Sequence, residues 1–113
     1  MGWSHYLGCF FGGALLANAL PHLVAGVLGR RLQTPFASPP FKGLSSPIVN
    51  VMWALTNLSV AYLTLGRSGV VGLQTDIDTG LCFAGFSVMA LQCARSFGRL
   101  RASAQPEHSG DGE

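Results

Sequence analysis

From Tyr6 to Gly29 the chain reads YLGCFFGGALLANALPHLVAGVLG, 24 residues without a single Lys, Arg, Asp or Glu. At about 1.5 Å of rise per residue, a helix of that length crosses a hydrocarbon core of roughly 30 Å with some tilt. Trp3, His5 and Tyr6 stand at its start, where amphipathic rings favour the headgroup region, and Arg30 and Arg31 close it. Arg30 is the first formal charge in the chain. A soluble fold needs charge along every exposed element, and 11% charged residues is well under the usual quarter or so. A membrane helix with an interfacial anchor at each end is therefore predicted, beginning near residue 3 and ending near residue 29.

A cleavable leader is the competing expectation, because Ala17, Asn18 and Ala19 form a small-x-small sequence. No Lys or Arg precedes the apolar run, which continues through Leu23, Val24, Val27 and Leu28, so a retained helix is expected. Inside it, Gly8 and Gly12 are four apart, as are Gly13 and Ala17, a spacing that lets a second helix approach closely. Asn18 and His22 share a face at the same spacing, and Pro21 beside them removes one helical hydrogen bond. Interhelical hydrogen bonding accounts for this pair; a ligand or proton role for His22 is the functional alternative.

The stretch Arg30 to Pro47 holds Pro35, Pro39, Pro40 and Pro47, which forbid a continuous helix. Phe36 and Phe41 bracket its centre, so a loop anchored at the membrane surface or folded back on the helices is expected, rather than a polar linker. Ser45 or Ser46 can cap a second helix whose first position is Pro47. Ile48 to Gly66 is uncharged over 19 residues and just spans. Asn50, Ala54, Asn57 and Ala61 recur at intervals of four, three and four, one stripe of a helix of period 3.6. Two carboxamides facing lipid would each cost several kcal/mol, so the stripe must face protein or water. Asn18 and His22 are its expected partners, and the four polar residues together form the candidate pocket.

A third apolar run, Leu81 to Ala94, is short by itself at 14 residues. It spans if the helix starts near Asp76, with Asp76 as cap or first-turn acid, and reaches Leu100 with Arg95 and Arg99 snorkelling. Asp76 and Asp78 are too sparse for a cation loop and are read as helix-start chemistry. Cys9, Cys82 and Cys93 lie in apolar runs without CxxC or Cys/His zinc spacing, so no metal and no cofactor are predicted, and packing is their expected role. Residues 102–113 are polar and without apolar periodicity, and are expected to be a disordered tail.

The architecture predicted is thus an all-α membrane protein of three transmembrane helices, about 3–29, 47–66 and 76–100, in one domain over residues 1–101. Arg30, Arg31 and Lys42 fall on the same side as Arg95, Arg99 and Arg101 when there are three crossings. The positive-inside rule makes that side cytoplasmic and the amino terminus external. The basic residues form no aromatic-interleaved stripe, which argues against nucleic acid. No Ser/His/Asp set, paired membrane carboxylates or phosphate-binding glycine loop supports an enzyme.

The pattern N-x-x-P-H at Asn18 to His22, followed by TPFASPP at Thr34 to Pro40 and SSP-x-x-N-x-x-W-x-x-x-N at Ser45 to Asn57, resembles the core of a family of small uncharacterised bacterial integral membrane proteins. The resemblance implies a bacterial inner-membrane location and no mechanism. Where that pattern has a further glycine before Lys42, this chain has Phe41. Two functions follow as expectations: association with itself or a membrane partner through the small faces of Gly8, Gly12, Ala54 and Ala61, or a transport or ligand-binding unit. In the second, Asn18, His22, Asn50 and Asn57 line a pocket closed by Pro35, Phe36, Pro39, Pro40 and Phe41.

Overall fold

The structure, a computed structural model, describes residues 2–67 and 75–104. Three long helices dominate it: α1 (Trp3–Val27), α2 (Pro47–Arg67) and α3 (Asp76–Ala104). Each has a stretch long and apolar enough to cross a membrane. By length and hydropathy the chain is a multi-pass membrane protein. The segment at 68–74 and the tail from 105 onward, expected as a short connection and a disordered tail, lie outside the described residues. Residues 102–104, assigned to the tail from composition, continue α3 instead.

α1 is the middle of the bundle. It packs along both α2 and α3, which barely meet each other. The share of buried residues in the most apolar stretch falls from 39% in α1 to 22% in α2 and 11% in α3, so most of α3 is left for lipid or a partner. Close approach is set by glycines. A Cβ on Gly13 would overlap the backbone carbonyl of Cys82, and one on Gly85 would overlap that of Phe10, so α1 and α3 touch backbone to backbone. Against α2, Gly12 meets Leu65 and Gly26 meets Val51 and the Pro47 carbonyl. Ala54 and Ala61 are fully buried on the facing stripe, whereas Gly8 is only half-buried, so the tightest contacts lie at Gly13, Gly26 and Gly85 more than at Gly8.

α1 stops two residues before its predicted end, at Val27, for a local reason. Gly29 adopts φ 74°, a left-handed turn that needs no Cβ. Its N–H donates to the Gly26 carbonyl and that of Arg30 to the Ala25 carbonyl at 2.8 Å, a Schellman closure that satisfies two orphan carbonyls.

The all-helical fold carries one short hairpin between α1 and α2. Leu32–Gln33 (β1) and Leu44–Ser45 (β2) pair antiparallel, Leu32 opposite Ser45 and Gln33 opposite Leu44. Thr34, 1% exposed, organises the turn: its hydroxyl bonds the Ser45 hydroxyl and accepts from the Phe36 N–H at 3.1 Å. Its carbonyl accepts from Ala37 and, at 2.9 Å, from Phe41. The Phe36 ring packs edge-on against Trp53 of α2, with centroids 5.3 Å apart, so the segment folds back on the bundle. Phe41 takes φ 64°, the left-handed region that favours glycine. Ser46 caps α2 by accepting from the Val49 N–H at 3.2 Å.

Candidate functional site

Asn50 is the hub of the polar interior. It is fully buried, and its Nδ2 donates to the carbonyls of Leu32 (3.2 Å), Ser45 (3.2 Å) and Ser46 (3.0 Å). These three acceptors fix the amide orientation, so Oδ1 is left to accept, and it lies 2.8 Å from His22 Nδ1. The proton on His22 is thereby assigned to Nδ1, and Nε2 carries a free lone pair. One carboxamide in the first turn of α2 therefore ties both strands of the hairpin to α1 and selects the histidine tautomer.

One turn deeper, Asn18 Nδ2 donates to Asn57 Oδ1 at 3.0 Å, and Asn57 Nδ2 donates to the Trp53 carbonyl at 2.8 Å. From α3, the Cys93 thiol reaches Asn18 Oδ1 at 3.7 Å. The intervals read from the sequence do bring Asn18 to Asn57 and His22 to Asn50. They differ in role, however. Asn18 and His22 line a cleft of about 400 Å³, whereas Asn50 and Asn57 stand behind them with their hydrogen-bonding capacity spent inside the protein.

The cleft opens between α1, α3 and the hairpin. Trp53, Met89, Phe97 and Leu100 supply its apolar walls. The His22 ring sits edge-on to Phe97 at 5.7 Å and to Trp53 at 6.5 Å, which holds it in place. Gln33, Thr34, Gln92 and Ser96 add polar groups, and Lys42 and Arg99 bring the two cations. Of the loop residues expected to close the pocket, Pro35 and Phe41 line this cleft, while Phe36 belongs to a separate hollow against Trp53, Val49 and Met52. Pro39 and Pro40 are exposed and line neither. Gln92 is part of the cleft wall and donates to Ser96 at 3.1 Å. The contribution of α3 could not be derived from spacing, because its register against α1 is set by the Gly13 and Gly85 contacts.

A second polar group lies at the other end of α1. His5 Nε2 is 2.8 Å from Asp78 Oδ1, and the Cys9 sulfur is 3.7 Å from the same nitrogen and 3.9 Å from the same oxygen. All three are buried, and His5 Nδ1 has no partner among the described residues. Asp78 lies in the first turn of α3, as its position implies, but its carboxylate faces α1. The cap of α3 is Thr75, whose hydroxyl accepts from the Asp78 N–H at 3.0 Å, and this leaves the carboxylate free to turn inward. Cys9 is not simply an apolar packing residue. The available signal was the H-x-x-x-C spacing of His5 and Cys9, which puts both on one face of α1. No family model, curated protein or solved structure matches this chain, so the chemistry of its two buried polar groups is what bears on function.

Proposed function

We propose that this protein binds a small anionic amphiphile in the cleft between α1, α3 and the hairpin. The observation that carries the reading is the arrangement of that cleft. Apolar walls of Trp53, Met89, Phe97 and Leu100 suit a hydrocarbon body, Lys42 and Arg99 suit an acidic head, and the free Nε2 of His22 accepts one hydrogen bond within. A single polar acceptor held in a fixed tautomer selects for orientation more than for raw affinity.

Mass spectrometry of protein extracted in mild detergent tests this. Wild-type protein is expected to retain an acidic amphiphile, and K42Q/R99Q to retain at least tenfold less at equal expression. His22→Phe keeps the ring contacts but loses both the Nε2 acceptor and the Nδ1–H that donates to Asn50 Oδ1, so, compared at equal folded yield, it should weaken retention by about 1–2 kcal/mol, the worth of one buried hydrogen bond. Equal retention by all three proteins would sink the proposal.

A bacterial inner-membrane location, with the amino terminus outside and the cleft on the cytoplasmic side, belongs to the same proposal. It rests on the likeness of Asn18 to Asn57 to small bacterial membrane proteins and on the side shared by Arg30, Arg31, Lys42, Arg95, Arg99 and Arg101. In a background lacking Cys82 and Cys93, and relative to that background without the added cysteine so that any labelling of Cys9 is subtracted, Ser38→Cys is expected to react with a membrane-impermeant maleimide only after permeabilisation. Labelling in intact cells would reverse the orientation.

Association, non-enzymatic and with itself or a membrane partner, is the second reading, favoured by one observation: α3 packs on α1 alone and leaves Ala90, Ala94 and Gly98 exposed.

A further inference from the structure

At the amino-terminal end of α1, opposite the cleft, three metal-ligating side chains converge. His5 and Cys9 come from successive turns of α1 and Asp78 from the first turn of α3. Their donor atoms form a triangle with edges of 2.8, 3.7 and 3.9 Å. The point equidistant from all three lies about 2.1 Å from each, the length of Zn–N and Zn–O bonds and close to the roughly 2.3 Å of Zn–S. We propose that His5, Cys9 and Asp78 bind a divalent transition-metal ion of the zinc class, leaving a fourth position open.

The competing chemistry is a nucleophilic Cys–His–Asp relay, and the geometry disfavours it. In a relay the thiol and the carboxylate engage opposite ring nitrogens, because the ring must pass a proton across. Here both approach the same nitrogen, Nε2, and Nδ1 is buried with no partner among the described residues. Convergence of all three groups on one point is what a shared cation requires. The structural alternative has the His5 ring N–H and the Cys9 thiol both donating to Asp78 Oδ1 from one face of α1; the cobalt titration below separates it from ligation.

Charge and softness agree with this assignment. Ligation takes Cys9 as thiolate, Asp78 as carboxylate and His5 as neutral imidazole, so two negative charges offset a dication in a region that tolerates net charge poorly. The mixed S, N and O set suits zinc or cobalt better than magnesium or calcium, which prefer all-oxygen shells. The first turn of α1 offers the way in, since Trp3 and Ser4 beside the group are exposed.

Cobalt titration of the full chain in detergent under reducing conditions tests the site, because a thiolate ligand produces a sulfur-to-cobalt charge-transfer band. One Co²⁺ per chain is expected with that band, and Zn²⁺ should displace it. Cys9→Ser is expected to abolish the band, and His5→Gln and Asp78→Asn to weaken binding at least 100-fold. Cys82→Ser and Cys93→Ser should leave it intact. No band in the wild-type protein, or a band that survives Cys9→Ser or disappears with Cys82→Ser or Cys93→Ser, would overturn the proposal. Should Cys9→Ser fail to fold, the wild-type thermal midpoint decides: it should rise with Zn²⁺, fall back with a chelator and not respond in Asp78→Asn, and an unresponsive wild-type midpoint refutes the site.

Discussion

Asn50→Ala is expected to destabilise the protein by about 2–4 kcal/mol, the largest effect of any single truncation in the polar interior. The side chain makes four hydrogen bonds, to His22 and to the carbonyls of Leu32, Ser45 and Ser46. Measured interhelical hydrogen bonds in membranes average only about 0.6 kcal/mol, because the unfolded chain finds other partners. Two of the four bonds, to His22 and to the Ser45 carbonyl, are buried, so truncation strands their partners and raises the cost toward the 1–3 kcal/mol of an unsatisfied group. Asn57→Ala removes one link to Asn18 and one to its own helix, so about 1 kcal/mol is expected. Denaturant-driven unfolding in mixed micelles, followed by helical circular dichroism, measures both. Asn50→Ala should also release the His22 tautomer and with it the ligand discrimination of the cleft. Equal costs for the two variants would show that Asn50 is not the hub.

Gly85→Val is the second large effect, about 2–3 kcal/mol from overpacking. The obstruction is the Phe10 backbone carbonyl, which cannot rotate aside as a side chain would, so α1 and α3 must separate along the contact. Gly13→Val meets the Cys82 carbonyl in the same way. Gly80→Val and Gly98→Val face open space on the same helix as Gly85 and should stay within about 0.5 kcal/mol of wild type. Thermal unfolding of the four variants in one detergent separates a packing effect from a general intolerance of valine in these helices. If Gly80→Val and Gly85→Val lose equal stability, the backbone contact between α1 and α3 is not what holds α3.

Much of the bundle was legible from local sequence because the bilayer imposes length and polarity on each segment separately. A charge-free run must span, a proline-rich one cannot be helical, and carboxamides at helical spacing must turn away from lipid. Asn18, His22, Asn50 and Asn57 were found in this way, since each pair is carried by the periodicity of its own helix. The division of labour among them was not. Whether an amide is a hub or a cleft wall depends on which carbonyls the hairpin presents, and the hairpin comes from Thr34 and Ser45, eleven residues apart, meeting through their hydroxyls.

The amino-terminal cluster shows the same boundary more sharply. His5 and Cys9 were on one face by spacing alone, yet Asp78 is 69 residues beyond Cys9 and was read as an ordinary first-turn acid. What brings it there is the meshing of Gly13 and Gly85 between two backbones together with a cap supplied by Thr75. The sequence by itself determined three spanning helices and the polar stripes they must hide, because both follow from one residue's neighbours and the solvent around them. Only the tertiary structure decided which stripe meets which, where the cleft opens and which acid faces His5, because glycine contacts set the register of α3 on α1 and no local pattern encodes a register.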